Sequence, residues 1–146
     1  MSETSNPFTD GEISYIREHR LGRLATVGPD GAPQVRPVAF RFNTGDGTFD
    51  IGGKHLATTQ KYHNLLANPR AAFVLDDVAP EGSEAPSPGF GRGIEIRGSA
   101  EARTVRGPEE RLAPHHDDEL IRIRAARIIT WNLPGGTPRP RGREVR

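Results

Sequence analysis

The sequence predicts a mainly β (α+β) fold, a six-stranded antiparallel barrel with short helices at its periphery. Runs of strand-like residues recur along the chain, turn residues separate them, and no long helical pattern alternates with them as in a parallel α/β fold. Because 146 residues suit one domain with one core, we expect residues 1–146 to form a single domain.

The first predicted element is a helix over residues 10–20. Thr9 and Glu12 have the spacing of a capping box, in which the side chain of each bonds to the backbone N–H of the other. Ile13 and Ile16 lie one turn apart, as an apolar helix face requires. The sequence therefore predicts a short N-terminal helix.

Residues 22–53 predict three antiparallel strands that follow one another as a meander. Their separators, Pro29–Gly31 and Thr44–Gly47, have the composition of tight turns. The alternation of the middle strand shifts near Pro37, and proline lacks the N–H that a central strand donates. We therefore expect a bulge or a sheet edge at Pro37.

The next segment predicts a helix that Thr58 or Thr59 caps and that ends before Pro69. An apolar strand over residues 71–78 follows. Residues 79–91 are dense in proline, glycine, serine and glutamate. That composition is too poor in apolar groups to pack, so we expect a mobile loop or a lid.

The remaining sequence predicts two more strands, over residues 93–103 and 120–133, with a short helix between them that begins near Pro108. Proline suits the first turn of a helix because its missing N–H would have no partner there. Residues 134–146 are rich in proline and arginine, and we expect them to form an extended or disordered C-terminal arm.

The composition excludes several classes of protein. Without cysteine the chain has no disulfide, thiolate nucleophile or iron–sulfur cluster, and with no signal-peptide pattern it is expected in the cytoplasm. Its 20 basic and 19 acidic side chains leave a net charge of +1, and no aromatic platform accompanies the C-terminal arginines, so nucleic-acid binding is not expected. The mean hydropathy of −0.62 argues against a membrane protein.

Two short motifs have the residues of ligand sites but favour ordinary loops. Gly89–Gly93 ("GFGRG") is similar to a glycine-rich nucleotide loop, yet it precedes a predicted strand where a dinucleotide fingerprint would open a helix. His115–Asp118 offers imidazole and carboxylate groups, but adjacent residues in a polar loop rarely converge on one ion. We therefore predict a hinge at the first, a solvated loop at the second, and no metal site.

The strongest local signal lies at Lys61, one of only two lysines among 20 basic residues. It follows Thr58 and Thr59 at a predicted helix N-terminus, where free N–H groups and hydroxyls favour a phosphate. The alternative is an ordinary threonine cap with an exposed lysine. Trp131, the sole tryptophan, either packs in the core or forms a flat wall for an aromatic ligand or a subunit contact.

Four stretches together resemble the split-barrel flavin-binding family that includes the pyridoxamine 5′-phosphate oxidases, and more closely its branch that uses coenzyme F420, a deazaflavin. They are "GRLATVGPDGAPQVRPVAF", "QKYHNLLANPRAAFVLDD", "RGIEIRGSAEAR" and "ARIITWNL". They occur in the family's order and at its spacing, and they cover nearly the whole chain. The resemblance implies a six-stranded split β-barrel of the FMN-binding type.

The resemblance also implies a homodimer with cofactor sites at the subunit interface. In such proteins the strand after "DGxP" lines the cofactor ring and the turn into the next helix holds its phosphate. The start of a later strand and an aromatic residue of the final strand complete the site. Carried over to this sequence, the implied cofactor-binding residues are Gln34, Arg36, Pro37, Val38, Thr58, Thr59, Gln60, Lys61, Arg92, Ile94 and Trp131.

Two departures limit the resemblance. Thr59 stands where many relatives carry arginine, which removes one positive charge from the phosphate site. "RLAP" at Arg111–Pro114 is similar in letters to the substrate-binding end of true pyridoxamine phosphate oxidases, but it lies before the final strand. Vitamin B6 oxidation is therefore not expected.

The function implied is that of an oxidoreductase that uses reduced F420 to transfer a hydride to a small unsaturated organic substrate. Because the cofactor supplies the chemistry, no catalytic residue is identified. His55, Tyr62 and His63 are candidate proton donors only through their proximity to Lys61 in sequence. The alternatives are an FMN-dependent oxidase or reductase, and a non-catalytic carrier or haem-binding relative.

Overall fold

A curled antiparallel sheet forms the body of the protein, and the computed structural model describes residues 6–145. Short 3₁₀ turns lie at Leu56–Thr58 and Pro108–Glu110. No helix among the described residues is both long and apolar enough to cross a membrane. In chain order the elements are α1 (Asp10–Arg17), β1 (Leu21–Val27), β2 (Pro33–Ala39), β3 (Arg41–Asn43), β4 (Thr48–Ile51), α2 (Gln60–Ala67), β5 (Arg70–Val78), β6 (Gly91–Thr104), β7 (Glu119–Trp131) and β8 (Arg141–Glu144).

The strand order explains why the sheet curls. The strands pair in the order β2-β1-β5-β6-β7-β4-β3, every pair is antiparallel, and β8 pairs with β7. β2 and β3 lie at opposite ends of this order although only Phe40 separates them in sequence. The sheet therefore bends until its two ends meet, and the prediction of a mainly β, antiparallel split barrel is confirmed.

The prediction of a three-stranded meander over residues 22–53 is wrong. The predicted middle strand divides at Phe40 into β2, which pairs with β1, and β3, which pairs with β4. The ring of Phe40 packs against Phe49 of β4 and Phe73 of β5, with centroids 5.7 and 5.5 Å apart, and these aromatic contacts favour the division. The main path consequently has seven strands rather than six, and β8 is an eighth.

Pro37 lies on an edge strand, which is one of its two predicted settings. In the described part of the chain β2 pairs only with β1, so the missing N–H interrupts no second ladder. The sheet's bulge lies instead in β6, between Arg97 and Gly98. A Cβ at Gly98 would come within 2.0 Å of the Arg124 carbonyl oxygen, so only glycine fits where the two strands approach.

The predicted capping box of α1 is confirmed. Thr9 Oγ1 accepts the Glu12 N–H at 3.2 Å, and Glu12 Oε1 accepts the Thr9 N–H at 3.0 Å. The helix ends at Arg17 rather than at residue 20. The next two N–H groups, of Glu18 and His19, bond to carbonyl oxygens three residues back, which tightens and closes the last turn.

Of the two threonines predicted to cap α2, Thr59 does so. Its hydroxyl oxygen accepts the Tyr62 N–H at 3.4 Å. The Thr58 hydroxyl instead donates to the His55 carbonyl oxygen at 2.7 Å, within the 3₁₀ turn before the helix. α2 ends before Pro69, as predicted.

The expectation that residues 79–91 are too polar to pack is wrong. Ala79 is buried, and the buried side chain of Asn132, just after β7, holds the segment. Its oxygen accepts the Ser87 N–H at 2.7 Å, and its amide donates to the carbonyl oxygens of Ser87 and Gly91 at 2.9 and 3.1 Å. Hydrogen bonds from one buried side chain thus replace the apolar contacts that the segment lacks.

The C-terminal segment is extended, which is one of the two predicted alternatives. It forms β8, and Arg143 donates from this strand to both carboxylate oxygens of Glu12, at 2.8 and 2.6 Å, and to the Pro7 carbonyl oxygen at 3.0 Å. The arm is therefore fastened to α1. The end of the predicted arm, residue 146, lies outside the described residues.

A buried carboxylate joins three strands where the barrel closes. Asp50 of β4 is fully buried and accepts hydrogen bonds from Arg41 of β3 at 2.9 Å and from Arg122 of β7 at 2.8 and 2.9 Å. Burial opposes its ionisation, but the hydrogen bonds from Arg122 and Arg41 outweigh burial and lower its pKa. Asp50 is therefore held as an anion between two guanidinium groups.

Asp50→Asn should destabilise the fold by about 3 kcal/mol at pH 7, because it leaves two partly buried guanidinium groups without their charge partner. Urea denaturation measures the difference. A carboxyl whose pKa is lowered on folding stabilises above its unfolded pKa of about 4 and loses that effect as the pH falls. The difference between the two proteins should therefore shrink in acid.

The matched control is Asp76→Asn, which removes an ion pair with Arg23 whose two side chains are about half exposed. We expect it to cost less than about 1 kcal/mol. If both variants lost the same free energy of unfolding, the burial of Asp50 would add nothing to the stabilisation by its ion pairs.

Candidate functional site

Two cations lie close together at the N-terminus of α2, and we call Lys61 and Arg36 the cation pair. Lys61 is partly buried in the first turn, behind the Thr59 cap, and Arg36 projects from β2. Burial, and then the charge of Arg36, lower the pKa of Lys61 below its ordinary value. Within residues 6–145 neither side chain has a carboxylate partner, and Arg36 donates only to the Val35 carbonyl oxygen at 3.3 Å.

This arrangement favours an anion. Two neighbouring cations repel each other until a negative charge neutralises them, and the free N–H groups at a helix N-terminus add donors and partial positive charge. A lysine that served only as an exposed surface group would keep its full hydration, whereas Lys61 is partly buried. The phosphate role assigned from the sequence to Lys61 and Thr59 stays a prediction with a suitable geometry.

A cavity of about 450 Å³, which we call the glutamine cavity, is lined by the sequence neighbour of Lys61, Gln60, and by Gln34, two residues before Arg36. It lies between α2 and the turn that joins β1 to β2. Gln60 donates to the Asn64 side-chain oxygen at 2.7 Å, and Asn64 donates to the Thr26 hydroxyl oxygen at 3.0 Å. This chain of hydrogen bonds fixes the α2 side of a cavity whose size suits a ligand.

The other predicted ring contacts lie on different faces. Arg36 and Val38 share one face of β2, where Val38 is buried in the core, while Pro37 is exposed on the opposite face. The side chain of Ile94 is fully buried in the core. The structure thus brings together Gln34, Arg36, Gln60 and Lys61 with the neighbouring Thr58 and Thr59, and it leaves the side chains of Val38 and Ile94 inside the barrel.

Arg92 makes structural contacts with α1 and β5, away from the cation pair. It is buried against α1, donates to both carboxylate oxygens of Asp77 at 2.7 and 3.1 Å, and lies over the Tyr15 ring at 5.0 Å. The hydrogen bond with Asp77 raises the pKa of Arg92, and the bond from Arg92 lowers the pKa of Asp77. Arg92 therefore fastens α1 to β5 and β6.

Trp131 lies at the end of β7, opposite Gly93 of β6. A Cβ at Gly93 would come within 2.6 Å of the indole ring, so this glycine leaves the space in which the ring rests on the neighbouring strand. The tryptophan is partly exposed. It is not brought to the cation pair within one chain, and its predicted cofactor contact stays a prediction.

The side chains of His115–Asp118 diverge. Asp117 accepts the Leu56 N–H at 3.0 Å, and Asp118 bonds to Arg111. Within residues 6–145 no group of three histidine, cysteine or acidic side chains converges as metal ligands would. The motif instead ties a loop to the turn that precedes α2.

Asn64 is a site residue that sequence reasoning missed. It is buried although it is polar, and it links Gln60 to Thr26. The available signal was its spacing, since it lies four residues after Gln60 and therefore on the same side of α2.

Residues 12–132 match the family described as "Pyridoxamine 5′-phosphate oxidase". The chain belongs to this family. The resemblance inferred from four segments of the sequence is thereby confirmed, and the match spans all the strands from β1 to β7.

Relatives of the pyridoxamine 5′-phosphate oxidase family include a curated reductase. A 5a,11a-dehydrotetracycline/5a,11a-dehydrooxytetracycline reductase from Streptomyces rimosus is 42% identical over 129 residues, which are 88% of this chain and 86% of that protein. This identity, together with the family match, makes the chain an oxidoreductase of the family.

Solved structures of similar proteins share the fold. A conserved hypothetical protein from Mycobacterium tuberculosis has a TM-score of 0.61 at 26% identity and covers 90% of this chain and 89% of its own. A protein described as an F420 reductase has a TM-score of 0.59, also at 26% identity, and covers 83% of this chain and 98% of its own.

Lys61→Met should leave the protein at least as stable as the wild type. Because folding lowers the pKa of this cation, its charge is disfavoured in the folded state at neutral pH, and methionine keeps an unbranched chain without that charge. Chemical denaturation at pH 7 measures the free energy of unfolding, with Lys54→Met, at an exposed position, as a control expected within about 0.5 kcal/mol of wild type. A clear loss of stability in Lys61→Met alone would mean that the ammonium group supports the fold.

Proposed function

We propose that this protein is a reductase that uses reduced coenzyme F420 to deliver a hydride to a small unsaturated organic substrate. The observation that carries the proposal is the cation pair, Lys61 and Arg36, which has no carboxylate partner within residues 6–145 and lies at the N-terminus of α2. A phosphate-bearing cofactor would supply the missing negative charge.

The residues present fit a cofactor phosphate of low charge. The F420 phosphate is a diester with one negative charge, whereas FMN ends in a monoester that carries about −1.5 to −2 at pH 7. Thr59 caps the helix with a neutral hydroxyl, and the resemblance places an arginine there in many relatives. The site therefore has one positive charge fewer than in those relatives, which favours the singly charged diester over the monoester. When bound, the deazaflavin supplies the hydride.

The chain's own residues bind and orient the cofactor. Lys61 and the first N–H groups of α2 hold the anion, and Arg36 neutralises it from the side of β2. In the glutamine cavity, Gln34 and Gln60 offer amide groups to a polar ring edge, with Gln60 held in place by Asn64. The anion contact thereby sets the position of a ring system that lies along β2.

Two similarities support a reductase of this kind. The Streptomyces rimosus relative is named for the reduction of dehydrotetracyclines, which are unsaturated compounds. The structural neighbour described as an F420 reductase aligns with 83% of this chain. We therefore propose an electron-poor carbon–carbon double bond as the group that is reduced.

The proposal is tested by titrating the protein with F420 and with FMN, followed by the fluorescence of Trp131. F420 should bind more tightly, and Lys61→Met should weaken its binding by about tenfold to a hundredfold, as expected for the loss of a charge-assisted hydrogen bond. Lys54→Met should bind as the wild type does. With electron-poor alkenes, the protein should accelerate the return of the oxidised-deazaflavin absorbance.

Two results would overturn the proposal. Tight binding of FMN without binding of F420 would make the protein FMN-dependent. Tight binding of F420 without faster oxidation by any acceptor would make it a carrier.

We further propose a homodimer that forms through the outer face of β2, β1 and β5. Val35 is 58% exposed on this face, and the register places it beside Ala25, with Ala72 next in the same row. Small apolar side chains on adjacent strands allow another copy of the chain to approach closely.

Light scattering should return twice the chain's mass of 16.0 kDa. Val35→Arg should shift the protein towards the monomer, because it places a charge in the centre of the apolar face. The control is Leu66→Arg, which charges an apolar residue of similar exposure, 60%, on α2 and should leave the dimer intact. A wild-type mass of one chain would contradict the dimer.

A further inference from the structure

A second cavity, of about 450 Å³, lies where the end of β2 meets the loop before β7, and we call it the basic cavity. All the ionisable side chains that line it are basic, and they are His19, Arg20, Arg41, Arg111 and His116. Arg41 shares Asp50 with Arg122, so one carboxylate serves two guanidinium groups. An excess of positive charge therefore faces the cavity.

Arg20 is the available guanidinium of this lining. Arg111 is bonded to Asp118, whereas Arg20 makes no hydrogen bond or ion pair with any other side chain in the described chain, 6–145. It lies three residues after the end of α1 and is exposed beside the cavity. Its donors are free for a ligand.

His116 presents a defined donor to the same cavity. Its Nδ1 atom is buried without a hydrogen-bond partner and packs over Gly52, where a Cβ would come within 2.7 Å of it. If Nδ1 carried the proton, its N–H would be buried without an acceptor. This costs more free energy than burying an unprotonated Nδ1, so we infer that the proton is on Nε2. Burial, and then His115, lower the pKa of His116, which agrees with a neutral ring whose Nε2–H lies on the opposite edge.

The basic cavity is connected to the cation pair by two routes. The Asp117 N–H donates to the Gly53 carbonyl oxygen at 3.0 Å, which fastens the His116 loop to the turn before α2. Ala39, which lines the cavity, follows Arg36 by three residues on β2, and a strand covers about 10 Å in three residues. About 10 Å of strand therefore separates the basic cavity from the cation pair.

We propose that the basic cavity binds the substrate of the reductase through an anionic or enolic oxygen, with the Arg20 guanidinium and the Nε2–H of His116 as its donors. This inference rests on the proposed reductase function. It assigns a substrate class, conjugated carbonyl compounds with an acidic hydroxyl or carboxyl group, and two residues that contact the substrate.

The chemistry balances with these two donors. The reduced deazaflavin of the proposed function would supply the hydride and would be oxidised by two electrons. The hydride, with its two electrons, adds to the far carbon of the carbon–carbon double bond. The π electrons of that bond then form a new double bond between the near carbon and the carbonyl carbon. The π electrons of the carbonyl group move to its oxygen, which becomes an enolate. Arg20 and His116 stabilise the charge on that oxygen. A proton from water finally restores the saturated carbonyl compound.

The test compares two probes, 2-hydroxy-1,4-naphthoquinone, which is an anion at neutral pH, and its neutral 2-methoxy analogue. Calorimetry with the full chain should show at least about tenfold tighter binding of the hydroxy compound, as one charge-assisted contact provides. Arg20→Gln and His116→Phe should each reduce this preference to less than about threefold. His116→Gln, which keeps an N–H donor, should retain part of it.

The matched controls are His115→Gln and Arg17→Gln, which change exposed neighbours of the same chemical types and should preserve the preference. Equal binding of the two probes by the wild type, or an unchanged preference in both Arg20→Gln and His116→Phe, would overturn the inference. A further outcome is that the two variants reduce the preference for the hydroxy compound while no acceptor oxidises bound reduced F420. That result would support the anion site and contradict the reductase function.

Discussion

The bend at Phe40 is the constraint on which the rest of the structure depends. It separates β2 from β3, and the two strands then join opposite ends of one sheet, so the sheet has to curl. Phe49 and Phe73 hold the bend through ring contacts. Where the curled sheet closes, Asp50 joins β3, β4 and β7 through two arginines. Aromatic packing inside and one buried anion thus stabilise the same closure.

The arginines with a structural role differ in their contacts from the cations that we propose to bind ligands. Arg92 and Arg143 fasten α1 to the barrel through carboxylates, and their charges are satisfied within the fold. Lys61 and Arg36 lack such partners in the described chain, as several exposed arginines do. Lys61 differs from those arginines because it is partly buried in the first turn of α2, where burial and the charge of Arg36 lower its pKa. A protein that keeps uncompensated cations together retains charge repulsion that only a ligand relieves. This contrast is the physical reason for proposing that a cofactor anion binds at the cation pair.

β2 links the two proposed subsites. Gln34 and Arg36 lie near its start, next to α2, and Ala39 lies at its end, beside the basic cavity. Because β2 is an edge strand, a ligand can lie along it without disrupting the sheet. One strand therefore carries residues of both proposed subsites, with Arg36 and Ala39 about 10 Å apart along it.

The sequence by itself determined the features that depend on neighbouring residues. The capping box of α1, a threonine cap for α2 and most of the turns and strands are encoded within a few positions of one another. The phosphate site around Lys61 is encoded in the same local way and stays a prediction. Only the tertiary structure decided the division of a strand at Phe40, the anchoring of residues 79–91 by Asn132 and the burial of His116 Nδ1 against Gly52. Each of these arises from side chains that are distant in sequence and meet only after the sheet has curled, so no local pattern records them.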